Sequence, residues 1–460
     1  MLSSSVFELI PEWVSVIAGV VLVGIIYIWF SQERPFAAYP LIATDGKSPK
    51  QSWMHHARET LAKGLQQTSG PFQIMTSTGP KIDFFINYPG FEGHKQSAHD
   101  DKLIQDTVRI KLTQSLGLVT GDLVDETVDS INCTIGPHAE WSSRSLKDDM
   151  MEIVARLSSR VFLGQPLCRN RRWLDISKAY TIYTFIVAHL MPVRDAHTLI
   201  DPEVQRRIDN VREAQVAGLK PPKVADSPGW MYQVATKEGT DYVAAQLALT
   251  MAAIHTTTES SSAALLDICE YPEVAEKLRA EIIQVLGEHG WSKTSLYKLT
   301  LMDSFIKESQ RVRPLSITSM NRYMEQKVTL SDGTVLPKGS RLMVAANFMD
   351  PEVYREPEKF DAERFVKKRQ ESGQENAWQL ATTSSEYTLF GHGQHACPGR
   401  FFAINELKIL LCHLLLKYEW RFNPERGRSA PRFVANTKAV AGNTEVQCRS
   451  RIPEIDLDCI

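Results

Sequence analysis

Apolar residues in this chain recur mostly at helical spacing, and only short stretches alternate as strands do. Trp53–Leu65 reads as a helix, and the alternating runs Phe72–Ser77 and Lys81–Asn87 around Gly79-Pro80 predict strands. Helical periodicity then covers Asp100–Leu118, Val119–Cys133, Leu146–Leu163 and Trp173–Leu190, and Glu203–Val216 reads as a charged helix. Three prolines make Lys220–Gly229 a loop. The longest unbroken helical stretch is Asp241–Glu270, stopped by Pro272. Pro272–Leu286 and Leu301–Val312 are further helices, the second ended by Pro314. Val328–Leu336 predicts a hairpin with Asp332-Gly333 at its tip, and Gly339–Ala346 a strand. A last, dense apolar helix follows Gly399 through Phe402, Leu407, Leu410 and Leu414. The pattern predicts a mainly α chain with a minor β lobe.

One apolar run is of another kind. Trp13–Phe30 is uncharged over 18 residues, which at helical rise spans about 27 Å, close to the hydrocarbon thickness of a bilayer. Trp13, Tyr27 and Trp29 stand near its ends, where interface aromatics belong. Glu8 and Glu12 precede it, and neither a basic leader nor a small-residue cleavage site is present, so a signal peptide fits poorly. Residues 1–34 therefore read as an anchor with a single transmembrane helix over 13–30, and 35–460 as the folded body. Arg34, Lys47 and Lys50 follow the run, which places the body on the cytosolic side.

The chain has 460 residues, 43% of them hydrophobic, and a net charge of −2, so a large core is available and nothing attracts nucleic acid. Its seven cysteines are scattered and form no C-x-x-C pair, against both a disulfide framework and structural zinc. One cysteine stands apart. In Phe390-Gly391-His392-Gly393-Gln394-His395-Ala396-Cys397-Pro398-Gly399, a lone thiol sits on a glycine-bearing loop that enters the last helix. Gly391 and Gly393 allow backbone angles that other residues resist. Pro398 suits a first helical turn. Free N–H groups and the helix dipole would lower the thiol pKa and stabilise a thiolate ligand.

This segment resembles the haem-binding loop of the cytochrome P450 family, F-x-x-G-x-[HR]-x-C-x-G, with matches at Phe390, Gly393, His395, Cys397 and Gly399. The resemblance implies the cytochrome P450 fold, haem b as cofactor and Cys397 as the axial ligand of its iron. Glu308-Ser309-Gln310-Arg311 puts opposite charges on one helix face, and Ala362-Glu363-Arg364-Phe365 offers a second arginine. Both are similar to the family's E-x-x-R helix and P-E-R-F segment, with Ala362 in place of proline. They imply a structural role for Glu308, Arg311 and Arg364.

Ala252-Ala253-Ile254-His255-Thr256-Thr257 looks like the family's oxygen-binding groove, [AG]-G-x-[DE]-T-T. Thr256 matches the threonine that helps deliver protons, while Ala253 replaces glycine and His255 the acid. A relay through His255 would titrate near neutrality. His395, Arg322 and Arg109 are candidates for the haem propionates. Phe390, Gly393 and Gly399 would shape the cofactor loop.

The family resemblance is strongest over Tyr242–Arg421 and points to fungal microsomal members of secondary metabolism. It implies a monooxygenase acting on a hydrophobic small molecule such as a terpenoid. NADPH–cytochrome P450 reductase would be the electron donor, with cytochrome b5 a further partner, at the endoplasmic reticulum. No glycine fingerprint follows a strand, so the chain itself should not bind NADPH. Lys81–Asp100 and Leu190–Gln205 are short for the family, which implies either a shortened gene product or a member with an open, partial pocket. Two alternatives stay open: an isomerase or dehydratase on the same fold, and a haem-binding protein inactivated by deletions.

Overall fold

The computed structural model describes residues 36–76 except 38 and 69, then 92–97, 102–183, 190–219, 225–236 and 239–460 except 347. They fall into two compact units, one ending at Phe85 and the other beginning at Ile86. The expected membrane span, residues 13–30, lies outside the described residues. Among the described residues no helix is long and apolar enough to cross a membrane.

The first unit is built on helix α1, Pro49–Gln67. Ser48 caps it by accepting from the Gln51 N–H, and the Gln51 side chain answers the Ser48 N–H. The expected strand at 72–77 is reduced to one bridge, Leu41 to Gln73. The expected strand at 81–87 lies outside the described residues.

The second unit is helical at its centre. Helix α2 is Thr113–Thr134, α3 Leu146–Leu163, α4 Arg171–Tyr183 and α5 Leu190–Val216. Helix α6 is Tyr242–Glu270, α7 Pro272–His289, α8 Thr300–Val312 and α9 Arg400–Lys417. Asp241 starts α6 by accepting from the Ala244 N–H at 2.8 Å, and Pro272 forces its end. Helix α9 is apolar almost all round, and a helix with no polar face belongs in the middle of a fold. Leu407 and every residue from Ile409 to Leu416 are buried.

The sheets are small. Strands β1 (Ser142–Ser145), β9 (Glu445–Ser450) and β6 (Tyr418–Phe422) form an antiparallel sheet in the order β1-β9-β6. β2 (Thr318–Tyr323) pairs with β5 (Arg341–Ala345), β3 (Val328–Thr329) with β4 (Val335–Leu336), and β7 (Arg432–Val434) with β8 (Thr437–Ala439). Gly333, with φ +86°, turns the predicted β3–β4 hairpin.

Three departures from the sequence pattern have physical causes. The predicted break between Leu118 and Val119 is absent; helix runs on from Leu103 through a π turn at Thr107–Leu112 into α2. The Thr113 hydroxyl donates to the Val108 carbonyl five residues back at 3.0 Å, which fits that wider turn. Helix α5 begins well before Glu203 and carries Pro202 inside it. Val193, Ala196, Ile200 and Val204 repeat at helical spacing and are buried against α4 and α6, and this burial carries the helix past the proline. The predicted loop at 220–229 ends early, because Asp226 caps a short helix, Ser227–Val234, with Pro228 in its first turn.

A buried histidine packs α9 against the turn that follows α7. His413 is fully buried, its Nδ1 bonds the Ile409 carbonyl at 2.9 Å, and its ring stacks on Trp291 at 5.2 Å. Burial pushes its pKa down to about 4. The unfolded chain binds a proton near pH 6.5 and the folded one does not, so stability is full above 6.5 and lost as pH falls toward 4. The loss should reach about 3 kcal/mol. Urea unfolding at stepped pH should show this slope in the wild type and a reduced slope in His413→Phe.

Candidate active site

The cysteine loop is held by its own backbone. The Cys397 N–H donates to the Phe390 carbonyl at 2.6 Å, and the Ala396 N–H to Gly393 at 3.1 Å. Gly391 and Gly393 have φ of +69° and +68°, the left-handed region that disfavours a Cβ. At Gly391 a Cβ would also stand 3.2 Å from the His395 carbonyl oxygen. Helix α9 starts at Arg400 with Gly399 as its cap, so Pro398 lies in the turn before the helix and not in its first turn.

The thiol departs from expectation in one respect. Burial pushes the Cys397 pKa above its ordinary value. The N–H groups of Gly399 and Arg400 and the Arg400 guanidinium act against burial, as a helix start should, but do not outweigh it. A cation facing the sulfur would tip the balance to thiolate.

Cys397 opens on a cavity of about 450 Å³, and Thr256 of α6 lines the same cavity. Ala252, Ala263, Leu266, Leu315, Leu389, Phe390 and Val440 give it apolar walls. Among the described residues no cluster of three or more histidines, cysteines or acids could hold a bare metal ion. A metal at Cys397 must therefore bring its other ligands with it. A flat apolar macrocycle with one axial sulfur fits these walls and this single donor.

Thr256 donates its hydroxyl to the Ala252 carbonyl at 2.8 Å, one turn back. His255, the next residue on the helix, is not among the residues lining the cavity. Burial holds its pKa below the ordinary value; Glu259 opposes this and Lys147 adds to it. The carboxylate in the cavity wall comes from Glu259, which is ion-paired with Lys147 at 2.5 Å and accepts the Val440 N–H at 2.7 Å.

Behind the loop, α8 carries a buried carboxylate shared by two arginines. Glu308 accepts from Arg311 Nε and Nη2 at 2.8 Å each, a two-pronged pairing on one helix face. Arg364 Nε joins at 3.0 Å and the Asp361 N–H at 3.0 Å. Arg311 then reaches the Phe348 carbonyl at 2.7 Å. Arg364 donates to the carbonyls of Arg355, Glu356 and Lys359.

The basic residues fall differently. His395 is exposed on the loop. Arg322 donates to the Asn321 carbonyl at 2.8 Å, and Arg109 is exposed beside Asp106 at 3.5 Å. None of the three is among the cavity-lining residues; the basic residues there are Arg313, Arg428 and Lys438. Arg313 and Arg428 are both ion-paired with Asp267 and Glu270. Sequence reading also passed over Arg400, which donates to the Cys397 carbonyl at 2.8 Å and the Ala381 carbonyl at 3.0 Å. Its place directly after Gly399 was the available signal.

Comparison with known proteins gives the family. The cytochrome P450 family profile matches residues 235–438. The chain is 40% identical to cytochrome P450 monooxygenase bsc2 of Alternaria brassicicola, over 97% of this chain and 95% of that protein. It is 35% identical to cytochrome P450 monooxygenase calE of Penicillium decumbens, over 86% and 87%. The bsc2 alignment runs over 503 positions, more than the 460 residues here, so that protein has residues with no counterpart in this chain. The crystal structure of the cytochrome P450DA heme domain superposes with a TM-score of 0.59 at 15% identity, covering 80% of this chain and 77% of that one.

Replacing Glu308 by alanine leaves two buried guanidiniums without their carboxylate, which should cost about 3–5 kcal/mol. Denaturant unfolding of the Glu308→Ala protein checks this, and cofactor retention on gel filtration should fall with it.

Proposed function

The chain belongs to the cytochrome P450 family, as a haem-dependent monooxygenase, and from that premise we propose that Cys397 holds the haem iron and that the protein oxidises a hydrophobic small molecule. The observation that carries this reading is one cavity lined by both Cys397 and Thr256. Cys397 would hold the haem through its sulfur, and the bound group would supply the oxygen chemistry.

The protein's share is position and protons. Phe390, Gly393 and Gly399 shape the loop around the sulfur. Thr256 donates its own proton to the Ala252 carbonyl, which leaves the hydroxyl oxygen to accept a hydrogen bond from a donor in the cavity and so hold it in place. His255 and Glu259 stand beside Thr256 on α6, and Lys147 of α3 pairs with Glu259; these groups set charge around that hydroxyl. His395, Arg322 and Arg109 stand outside the cavity lining, whereas Arg313, Arg428 and Lys438 line it and are better placed for the anionic edge of the cofactor. Glu308, Arg311 and Arg364 serve structure.

Apolar walls and fungal relatives support a lipophilic substrate, a terpenoid or another secondary metabolite. The reading includes residues 13–30 as a single-pass anchor in the endoplasmic reticulum with the body in the cytosol. Electrons come from NADPH–cytochrome P450 reductase, with cytochrome b5 as an accessory donor. The apolar run at 13–30 and the lack of a nucleotide-binding glycine fingerprint support both points.

Membranes carrying the protein and the reductase should take up oxygen in an NADPH- and substrate-dependent way. Thr256→Ala should keep the cofactor yet lose product per NADPH, by roughly 10²-fold where proton delivery limits the reaction. Turnover of an oxygenated substrate without oxygen uptake would instead favour an isomerase or dehydratase. Indifference to Thr256→Ala would favour a haem-binding protein without turnover.

A further inference from the structure

We propose that Lys307 is a positioning residue for the cysteine loop: its amine holds the turn at 379–382, and Arg400 carries that hold to Cys397. The inference rests on the reading that Cys397 binds the haem.

Lys307 lies just before Glu308 on α8 and is fully buried. Its Nζ donates to the Gln379 carbonyl at 2.9 Å and the Thr382 carbonyl at 3.4 Å. It also lies 3.5 Å from the centre of the Tyr387 ring, a face that attracts a cation. Between those carbonyls stands Ala381, whose own carbonyl accepts Arg400 Nε at 3.0 Å. The other end of the same guanidinium holds the Cys397 carbonyl at 2.8 Å. Lys307 and Arg400 thus grip one turn from two sides, and Arg400 alone reaches on to the ligand residue.

An apolar side chain would fill this position at less cost than a buried amine. The amine is satisfied only while the turn keeps its carbonyls in place, so its burial specifies the turn. Asp303 on the same helix favours the charged form, although Lys408 engages it at 2.6 Å, and Arg369 opposes it. Tyr387 faces the amine with its ring, while its hydroxyl donates to Gln310 at 2.9 Å. Burial dominates and lowers the amine's pKa to about 7. Above that pH two N–H groups remain for two carbonyls, but the bonds are no longer charge-assisted and weaken.

The test uses the haem-loaded full chain with Lys307→Met, Arg400→Met and the double variant, all followed by hydrogen exchange and by the spectrum of the reduced CO complex. Lys307→Met should speed exchange across 379–400 about tenfold, as the loss of one or two buried bonds implies, and leave the rest of the chain unchanged. A share of its CO complex should lose the red-shifted thiolate band. Arg400→Met should do the same, and the double variant should add little, because both act through one turn. In the wild type, exchange across 379–400, corrected for its intrinsic pH dependence, should rise relative to the rest of the chain as pH passes about 7. That arm decides the matter if the variants do not fold. Wild-type-like exchange in Lys307→Met, additive effects, or a uniform rise over the whole chain would overturn the proposal. An unshifted wild-type band would instead count against the thiolate reading, and the exchange arm would still decide the role of Lys307.

Discussion

The carboxylate of Glu308 is the fixed point of this fold. A buried charge is costly unless geometry and hydrogen bonding are nearly complete, and here they are. Arg311 takes both oxygens, Arg364 joins them, and the Asp361 N–H adds a further donor. Further N–H groups of both arginines donate to the main-chain carbonyls of Phe348, Arg355, Glu356 and Lys359. A long irregular stretch that no sheet pairs is thereby pinned to helix α8. Breaking the group would strand charge in the core, so that stretch has one arrangement.

The cysteine loop inherits this rigidity in a second layer. Helix α8 also carries Lys307, and the 379–382 turn bears on Arg400 and so on Cys397. From the other side the loop rests on α9, whose buried apolar faces fill the centre of the core. What the loop does not supply is a strongly acidic thiol. Burial prevails over the N–H groups at the helix start and the Arg400 guanidinium, and the thiol pKa stays above its ordinary value.

Much of this was legible in the sequence where chemistry restricts residue type. The loop from Phe390 to Gly399, the Glu308–Arg311 spacing and the long helix through Thr256 each carry a local rule that the fold obeys. Other features depend on tertiary contacts. Helix α5 survives Pro202 because Val193, Ala196, Ile200 and Val204 are buried together. The π turn before α2 follows a side chain that bonds five residues back. In the cavity wall the family motif marks position 255, whereas the carboxylate there belongs to Glu259, one helical turn on. The basic residues resisted sequence reading for the same reason: Arg322 and Arg109 stand outside the cavity, and Arg313, Arg428 and Lys438 line it.

The central claim is that Cys397, on its locked loop, presents a thiolate to haem iron. The absorption spectrum of the reduced, CO-bound protein tests it most directly. A thiolate ligand moves the main band far to the red, and the account predicts that band in the wild type and its loss in Cys397→Ser. An unshifted band in the wild type, or a red-shifted band that survives Cys397→Ser, would contradict it.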